Sequence, residues 1–387
     1  MQNMRSLFKK VAIRALPYIG AKYKSESNAP RKIALVNWEN MGDFALFSSV
    51  IREVKLNYPT SSLIVVAQRE NRELANFCPY VEKWIWIRGH KKPKQGMGHG
   101  IQTGYSEKLI KTYIALLFFG RRRIDLLLGP DWLLVNATEQ FTSNLLFQKA
   151  NPRAAELTEI ALRNREFFKD ESHQVTRTLT ILKMFGLRIK SDEIENWITK
   201  EGSNVLVDFE DSVFPRILVS LGAGQARRNW PINLVVQLIK QMHIFFPSLI
   251  VTVVGPKSMK SSEIDRALQD LIYVRNLIGK TDLPSVVSLM KDADLLISND
   301  SGLVHIGASL KLPIVVVSAH PLNGDPWHLH SPKRYHPWKT EHRVVQPQAL
   351  IEDCVNSCQK ESPHCIATIT PEDVLEACRT LLTGKSN

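Results

Sequence analysis

The sequence predicts an α/β fold made of two units of parallel βαβ type, and three observations predict it. Short apolar runs of the buried-strand type alternate with segments of helical spacing, lapse over residues 138–200, and resume at Arg216. At 387 residues the chain is long enough for two domains, each with its own core. Its 44% hydrophobic and 23% charged residues match an ordinary globular composition and exclude a disordered or collagen-like chain. Strands separated by helices imply parallel βαβ units with right-handed crossovers.

The elements follow in order. Lys32–Asn37 (KIALVN) has the short, continuous apolar run of a buried strand, and Phe44, Phe47, Val50, Ile51 and Val54 give 43–56 a helical face. Two more strands are expected at 63–67 and 83–87. A loop rich in Gly, Lys and His over 88–104 precedes a helix around 107–119 and a strand at 124–128. Residues 138–200 read as mostly helical and polar. In the second half, strands are expected at 216–221, 249–254, 295–298 and 313–318, with helices at 234–245, 263–271 and 303–310 between and around them. A final helix starts at Thr370-Pro371-Glu372-Asp373, where a capping residue, a proline and two carboxylates coincide. The two units join near 200–215.

Charge is unevenly placed. The net charge is +12, and residues 1–32 hold eight Lys and Arg against Glu26 alone, so seven of the twelve net charges lie there. A mildly basic body argues against nucleic acid as a partner, which needs basic residues interleaved with aromatics on a folded face. Met4, Leu7, Phe8, Val11, Ala12, Ala15, Leu16 and Ile19 form a near-helical stripe between the basic residues, as a helix lying on an anionic membrane surface would have. A frayed basic tail fits the same residues. No stretch has the length of a membrane span, and Arg14 interrupts the one apolar stretch a signal peptide would need. Five cysteines, an odd number without an export signal, suit a reduced cytoplasmic compartment.

In open parallel sheets ligands bind beyond the carboxyl ends of strands, which directs attention to the loops 37–43, 221–230, 255–262 and 298–305. Ser298-Asn-Asp-Ser-Gly-Leu-Val-His305 follows a strand and opens a helix. Small residues such as Ser301 and Gly302 let helix N–H groups approach a phosphate, and the helix dipole favours the anion. Asp300 is a helix cap or a ribose acceptor. His305 shares a helix face with Ser301 and is a ligand group or a satisfied core histidine. In Leu221-Gly-Ala-Gly-Gln-Ala-Arg-Arg-Asn-Trp-Pro231, Gly222 and Gly224 permit close backbone approach. Arg227 and Arg228 offer planar donor forks to a diphosphate, or are a solvated surface pair. The glycine spacing is not that of a dinucleotide fingerprint. Asp43, in Asn37-Trp-Glu-Asn-Met-Gly-Asp43, is a candidate general base for an acceptor hydroxyl or a helix-capping residue, with Glu39 in reserve.

Gly42-Asp43, the glycine-rich turn with Arg228-Asn-Trp-Pro231, Leu277-Ile-Gly-Lys-Thr-Asp-Leu283, and Asp300-Ser-Gly-Leu-Val-His305 with Ala308 and Pro313 resemble the ADP-heptose:lipopolysaccharide heptosyltransferase family, in the correct order over roughly residues 31–380. The resemblance implies the GT-B architecture, two Rossmann-like domains facing across a cleft. Here these would be an acceptor-side domain at 31–205 and a nucleotide-sugar-binding domain with the final helix at 206–387, preceded by the basic segment 1–30. It implies an inverting glycosyltransferase without metal or cofactor, moving heptose from ADP-heptose to a lipid-linked saccharide at the inner face of the cytoplasmic membrane. Asp43 would be the catalytic base. Gly222, Gly224, Arg228, Lys280, Asp300, Ser301, Gly302 and His305 would bind the donor.

Three departures stand out. Asn37 occupies the position where the family usually has arginine. Ser318-Ala-His-Pro321 replaces a Gly-Pro-Thr turn, and Arg88–Lys94, with His90 and His99 nearby, is a basic insertion that suits an anionic acceptor or a solvated loop. Cys354, Cys358, His364 and Cys365 raise the question of zinc, but their Cys-x3-Cys-x6-Cys spacing fits no common paired-knuckle pattern, so no metal is expected. His328, His330 and His336, in a Trp- and Pro-rich loop, are expected to line a cleft or the surface.

Overall fold

In the computed structural model the chain forms two compact units, Met1–Asp192 and Glu193–Asn387. The structure describes residues 30–37, 39–87, 126–128, 173–184, 186–198, 214–326, 328, 330–351, 354 and 358–384. The basic segment up to residue 29, the loop 88–104, the helix expected at 107–119 and the expected domain boundary at 205/206 lie outside the described residues.

The first unit carries four parallel strands, β1 (Lys32–Asn37), β2 (Ser62–Gln68), β3 (Lys83–Ile87) and β4 (Leu126–Leu128), in the order β3-β2-β1-β4. Five of the six β1 residues are buried, as expected for a strand covered on both faces. Helix α1 (Met41–Asn57) begins two residues before the expected start and buries Phe44, Phe47, Val50, Ile51 and Val54. It also buries an ion pair, Arg52 Nε to Glu53 Oε1 at 3.0 Å. That pair is satisfied by the backbone of 190–191. Lys190 N–H donates to Glu53 Oε2 at 2.7 Å and Ser191 N–H to Oε1 at 3.2 Å, while Arg52 Nη2 donates to the Ser191 carbonyl at 2.8 Å. Asn57 exchanges two bonds with the Arg188 backbone. A buried carboxylate without these donors would be strongly unfavourable, so the network fixes the chain after helix α2 (Gln174–Met184) against α1.

The second unit is a six-stranded all-parallel sheet of β5 (Arg216–Ser220), β6 (Ile250–Val254), β7 (Val274–Asn276), β8 (Leu295–Asn299), β9 (Ile314–Val317) and β10 (His342–Val345). The order is β10-β9-β8-β5-β6-β7. The chain therefore starts at the centre, walks out through β6 and β7, and returns to the other side of β5 to lay down β8. This is the dinucleotide-fold strand order, and its switch point lies between β5 and β8.

Helices α3 (Ile232–Phe245), α4 (Ser262–Gln269), α5 (Leu283–Asp292), α6 (Gly302–Ser309) and α7 (Pro371–Thr383) accompany the sheet. Leu238, Ile239 and Met242 of α3 join Val374, Cys378 and Leu382 of α7 in one core with Val251, Val253 and Ile297. Thr370 and Asp373 form a reciprocal capping box at α7, with Pro371 in the first turn. Gly307 lets α6 close on the sheet, because a Cβ there would meet Leu296 Cδ2 at 3.0 Å and Ile314 Cδ1 at 3.2 Å. Among the described residues no helix is long and apolar enough to cross a membrane.

Candidate active site

At the switch point the loop after β5 and the loop after β8 are joined by side chains. Gly222 turns the chain at φ +100°, and a Cβ there would lie 3.0 Å from Pro256 Cδ, so the turn and the packing both call for glycine. Asn229 Oδ1 accepts from Ala223 N–H at 2.6 Å and closes the loop on itself. Trp230 N–H then donates to Asn299 Oδ1 at 2.9 Å, which ties the loop's end to the end of β8. Gly224 faces open space, since among the described residues, its two chain neighbours aside, no atom lies within 4 Å of where its Cβ would be. Its missing side chain leaves room for a ligand rather than for packing.

Arg228 completes the junction. Its Nη2 donates to Asp300 Oδ2 at 2.7 Å and to the Asp300 carbonyl oxygen, and both side chains are about five-sixths buried. The sequence allowed Asp300 as a helix cap and Arg228 as part of a solvated pair. The structure corrects both. Ser301 is the residue at the N-cap of α6, and Asp300 spends its carboxylate on Arg228. Burial pushes the Asp300 carboxyl above its ordinary value, and the adjacent guanidinium opposes that rise.

The α6 N-terminus carries no side-chain cap and no carboxylate in its first turn. Ser301 Oγ instead lies 3.2 Å from Ser298 Oγ. A helix start with uncapped N–H groups, next to an arginine, is an arrangement that attracts phosphate.

His305 is buried, with its ring edge-on to Tyr335 at 6.4 Å between centroids. Its Nδ1 is shut off from solvent and has no hydrogen-bond partner among the described residues, so the reading as a satisfied core histidine does not hold. Burial first, then the charges of His336 and Arg228, hold its pKa down to about 4, which keeps the ring neutral.

A group the sequence reading undervalued stands near the arginines. His320, in the altered turn after β9, stacks on His328 at 5.5 Å, and His328 meets His330 at 5.2 Å. Burial and then the charge of Arg228 hold His330 down to about 3. Burial also lowers His328, with Arg227 and Arg228 adding to the effect and Asp325 opposing it. The turn is firmly built: Ser318 Oγ accepts from His320 N–H at 3.2 Å, and Gln346 donates to the His320 carbonyl at 2.6 Å. Histidines scattered over 320–330 give no periodic signal, and only the fold reveals them as one cluster.

Lys280 is exposed after the Gly279 turn and donates to the Asn276 carbonyl at 2.8 Å. Among the described residues no contact joins it to the Arg228–Asp300 pair.

In the first unit Asp43 is the third residue of α1, half-buried, close after the carboxyl end of β1. The loop before it is pinned, since Asn37 Oδ1 accepts from Glu39 N–H at 3.1 Å and Asn71 Nδ2 donates to the Glu39 carbonyl at 3.0 Å. Asn37 is thus a buried loop-shaping residue, not a cation substitute.

Comparison with known proteins gives the family and the fold. Residues 132–362 match the family described as Glycosyltransferase family 9 (heptosyltransferase). The chain is 26% identical over 302 residues, 72% of this chain and 80% of the relative, to lipooligosaccharide heptosyltransferase 2 of Haemophilus influenzae. Among solved structures, the family 9 glycosyl transferase of Veillonella parvula superposes with a TM-score of 0.59 at 14% identity, covering 92% of this chain and 98% of that one. ADP-heptose LPS heptosyltransferase II of E. coli superposes with 0.54 at 21% identity, covering 92% and 100%. These likenesses carry the fold, GT-B. The match over 132–362, together with an α/β architecture whose Arg228–Asp300 junction lies at a nucleotide-type switch point, makes this chain a glycosyltransferase of family 9, the heptosyltransferases.

Proposed function

We propose that the protein transfers a sugar with inversion from a nucleotide-sugar donor, ADP-heptose in the first instance, to a lipid-linked saccharide of the lipopolysaccharide type. One observation carries the reading: the Arg228–Asp300 pair beside the uncapped start of α6 at the β5/β8 switch point. Arg228 and the N–H groups of Gly302 and its neighbours meet the charge that develops on the departing diphosphate, with Lys280 as a further cation from the loop after β7. Gly222 shapes the phosphate loop, and Gly224 leaves the space that a donor would fill. Ser301 offers a hydroxyl at the same helix start. The Nδ1 of the buried, neutral His305 is shut off from solvent, so a ligand reaches it only after a neighbour moves.

Asp43 supplies the base. Its carboxylate takes the proton from the acceptor hydroxyl, the freed oxygen attacks the anomeric carbon, and the bond to the diphosphate breaks on the opposite face. In this reading the charges come from protein groups, and no divalent ion or cofactor is required. The basic segment 1–30 would hold the enzyme on the anionic inner face of the cytoplasmic membrane, next to a lipid-linked acceptor.

The test is calorimetric titration with ADP-heptose, ADP, UDP, GDP and dTDP-sugars without added divalent metal. Exclusive binding of the adenine species is expected. A second reading, a family member using another nucleotide sugar for capsule or O-antigen assembly, is favoured by one feature, the Ser318-Ala-His-Pro321 turn with its histidine cluster. Binding of UDP, GDP or dTDP-sugars in place of ADP species would select it. A non-catalytic nucleotide- or glycan-binding relative would bind donor and give no turnover with any acceptor.

A further inference from the structure

Four side chains in the segment between β10 and α7 converge in a way their spacing conceals. Their ligand atoms, the sulfurs of Cys354, Cys358 and Cys365 and an imidazole nitrogen of His364, all lie within 4.8 Å of one another. The sulfurs of Cys354, Cys358 and Cys365 stand 3.7, 4.0 and 3.5 Å from His364 Nδ1, and Cys365 Sγ is 3.8 Å from Cys354 Sγ. A tetrahedral zinc ion with ordinary bond lengths requires about 3.8 Å between two sulfurs and about 3.6 Å between sulfur and nitrogen. The four separations just given lie close to those values, and the sulfur of Cys358 is within 4.8 Å of the other two sulfurs. Cys358 and Cys365 are buried, Cys354 and His364 half-buried, and all five cysteines the structure describes are free thiols.

We propose that Cys354, Cys358, His364 and Cys365 form a tetrahedral, thiolate-rich site for a thiophilic divalent cation, Zn2+ or Fe2+. Three sulfurs and one imidazole are the ligand chemistry of such ions and a poor match for Mg2+ or Ca2+, which take oxygen. The paired-knuckle template fails on this sequence because two of the ligands are neighbours, His364 and Cys365. The backbone at His364 (φ −135°, ψ −88°) brings both side chains to the same point.

Four protein ligands leave no open position, so the ion would organise structure and not react with substrate. What it would organise is specific. Cys365 opens a single turn of 3-10 helix, Cys365–Thr368, and the next carbonyl, Ile369, accepts from Trp230 Nε1 at 3.1 Å. Trp230 closes the loop that presents Arg228. The ion would therefore brace the nucleotide loop from below, through residues 365–369.

Elemental analysis of the full-length wild-type protein, purified without chelator or affinity metal, should find about one equivalent of zinc or iron per chain, and it tells the two ions apart. After chelation, titration with Co2+ should develop thiolate-to-cobalt charge-transfer bands and the intense visible bands of a tetrahedral ion. Cys358→Ser and His364→Ala should lose the metal, and Cys78→Ser, in the other unit, should keep it. A metal-free wild-type chain that takes up cobalt without those bands would overturn the proposal. So would intact-mass evidence that Cys354 and Cys365 are joined as a disulfide in the purified protein. The wild-type measurements stand even where a cysteine variant fails to fold.

Discussion

Arg228 Nη2 grips Asp300 at two points, the carboxylate at 2.7 Å and the carbonyl oxygen, so one side chain joins the loops after β5 and β8 through residues 72 apart in sequence. The carbonyl contact is to the residue just before the N-cap of α6. The guanidinium is thereby held where α6 begins, and this is the physical content of the donor-site proposal.

Replacing one partner should therefore disturb the other. Asp300→Ala is expected to weaken ADP binding even though Asp300 itself repels phosphate, because Arg228 loses its anchor. Hydrogen bonds to charged groups are worth about 1.5 to 3 kcal/mol, so the loss should be roughly 10- to 100-fold. Tighter ADP binding by this variant would show that Asp300 merely neutralises Arg228.

Asp43→Asn should leave donor affinity intact while turnover falls by about 100-fold or more, the signature of a lost general base. Initial rates and calorimetry on the same preparation check both halves. Retained turnover would remove Asp43 from that role.

The two loop glycines should separate cleanly. Gly222→Ala forces a side chain into φ +100° and to 3.0 Å from Pro256 Cδ, and should lower stability by about 1 to 3 kcal/mol. Gly224→Ala meets nothing within 4 Å, so its melting temperature should match the wild type, and any loss of ADP affinity would come from the ligand's side. Equal melting temperatures for both variants would contradict this reading.

Low pH should destabilise the second unit through its buried histidines. An unfolded histidine titrates near ~6.5, whereas His305 is held to about 4, mainly by burial. Between those values the unfolded state binds the extra proton, so the stability contribution is complete above pH ~6.5 and fades as pH falls toward 4. His305→Asn should flatten the decline of melting temperature across that window. An unchanged slope would mean that His305 does not carry it.

For the basic segment, deletion of residues 1–28 should weaken binding to anionic vesicles while thermal unfolding of the remainder stays the same. Equal co-sedimentation of both chains with such vesicles would remove the anchor role.

The central strands were legible in the sequence because a buried parallel strand is a continuous apolar run, as in β1 (KIALVN) and β8 (LLISN). The edge strands β7 (VRN) and β10 (HRVV) were not, being three or four residues long, largely half-buried and charged. Helix α5 also escaped. Its capping residue Asp282 lay inside a segment read only as a motif, and Pro284 follows that segment directly. At the site, residue types and loops could be read, but pairing could not. Nothing in the local spacing tells Asp300 to bond Arg228 rather than cap α6, or tells His320, His328 and His330 to gather near the same arginine. The convergence of the four ligand-type side chains at 354–365 was hidden for the same reason, since a spacing template carries no information about how the backbone turns between them.

The most direct test of the account is calorimetric titration of ADP into wild-type protein and Arg228→Ala without added divalent metal. Binding by the wild type that falls at least about tenfold in the variant, with melting temperature measured alongside to confirm folding, is the expected result. Equal ADP affinity in a folded Arg228→Ala variant would contradict the assignment of the β5/β8 switch point as the donor site.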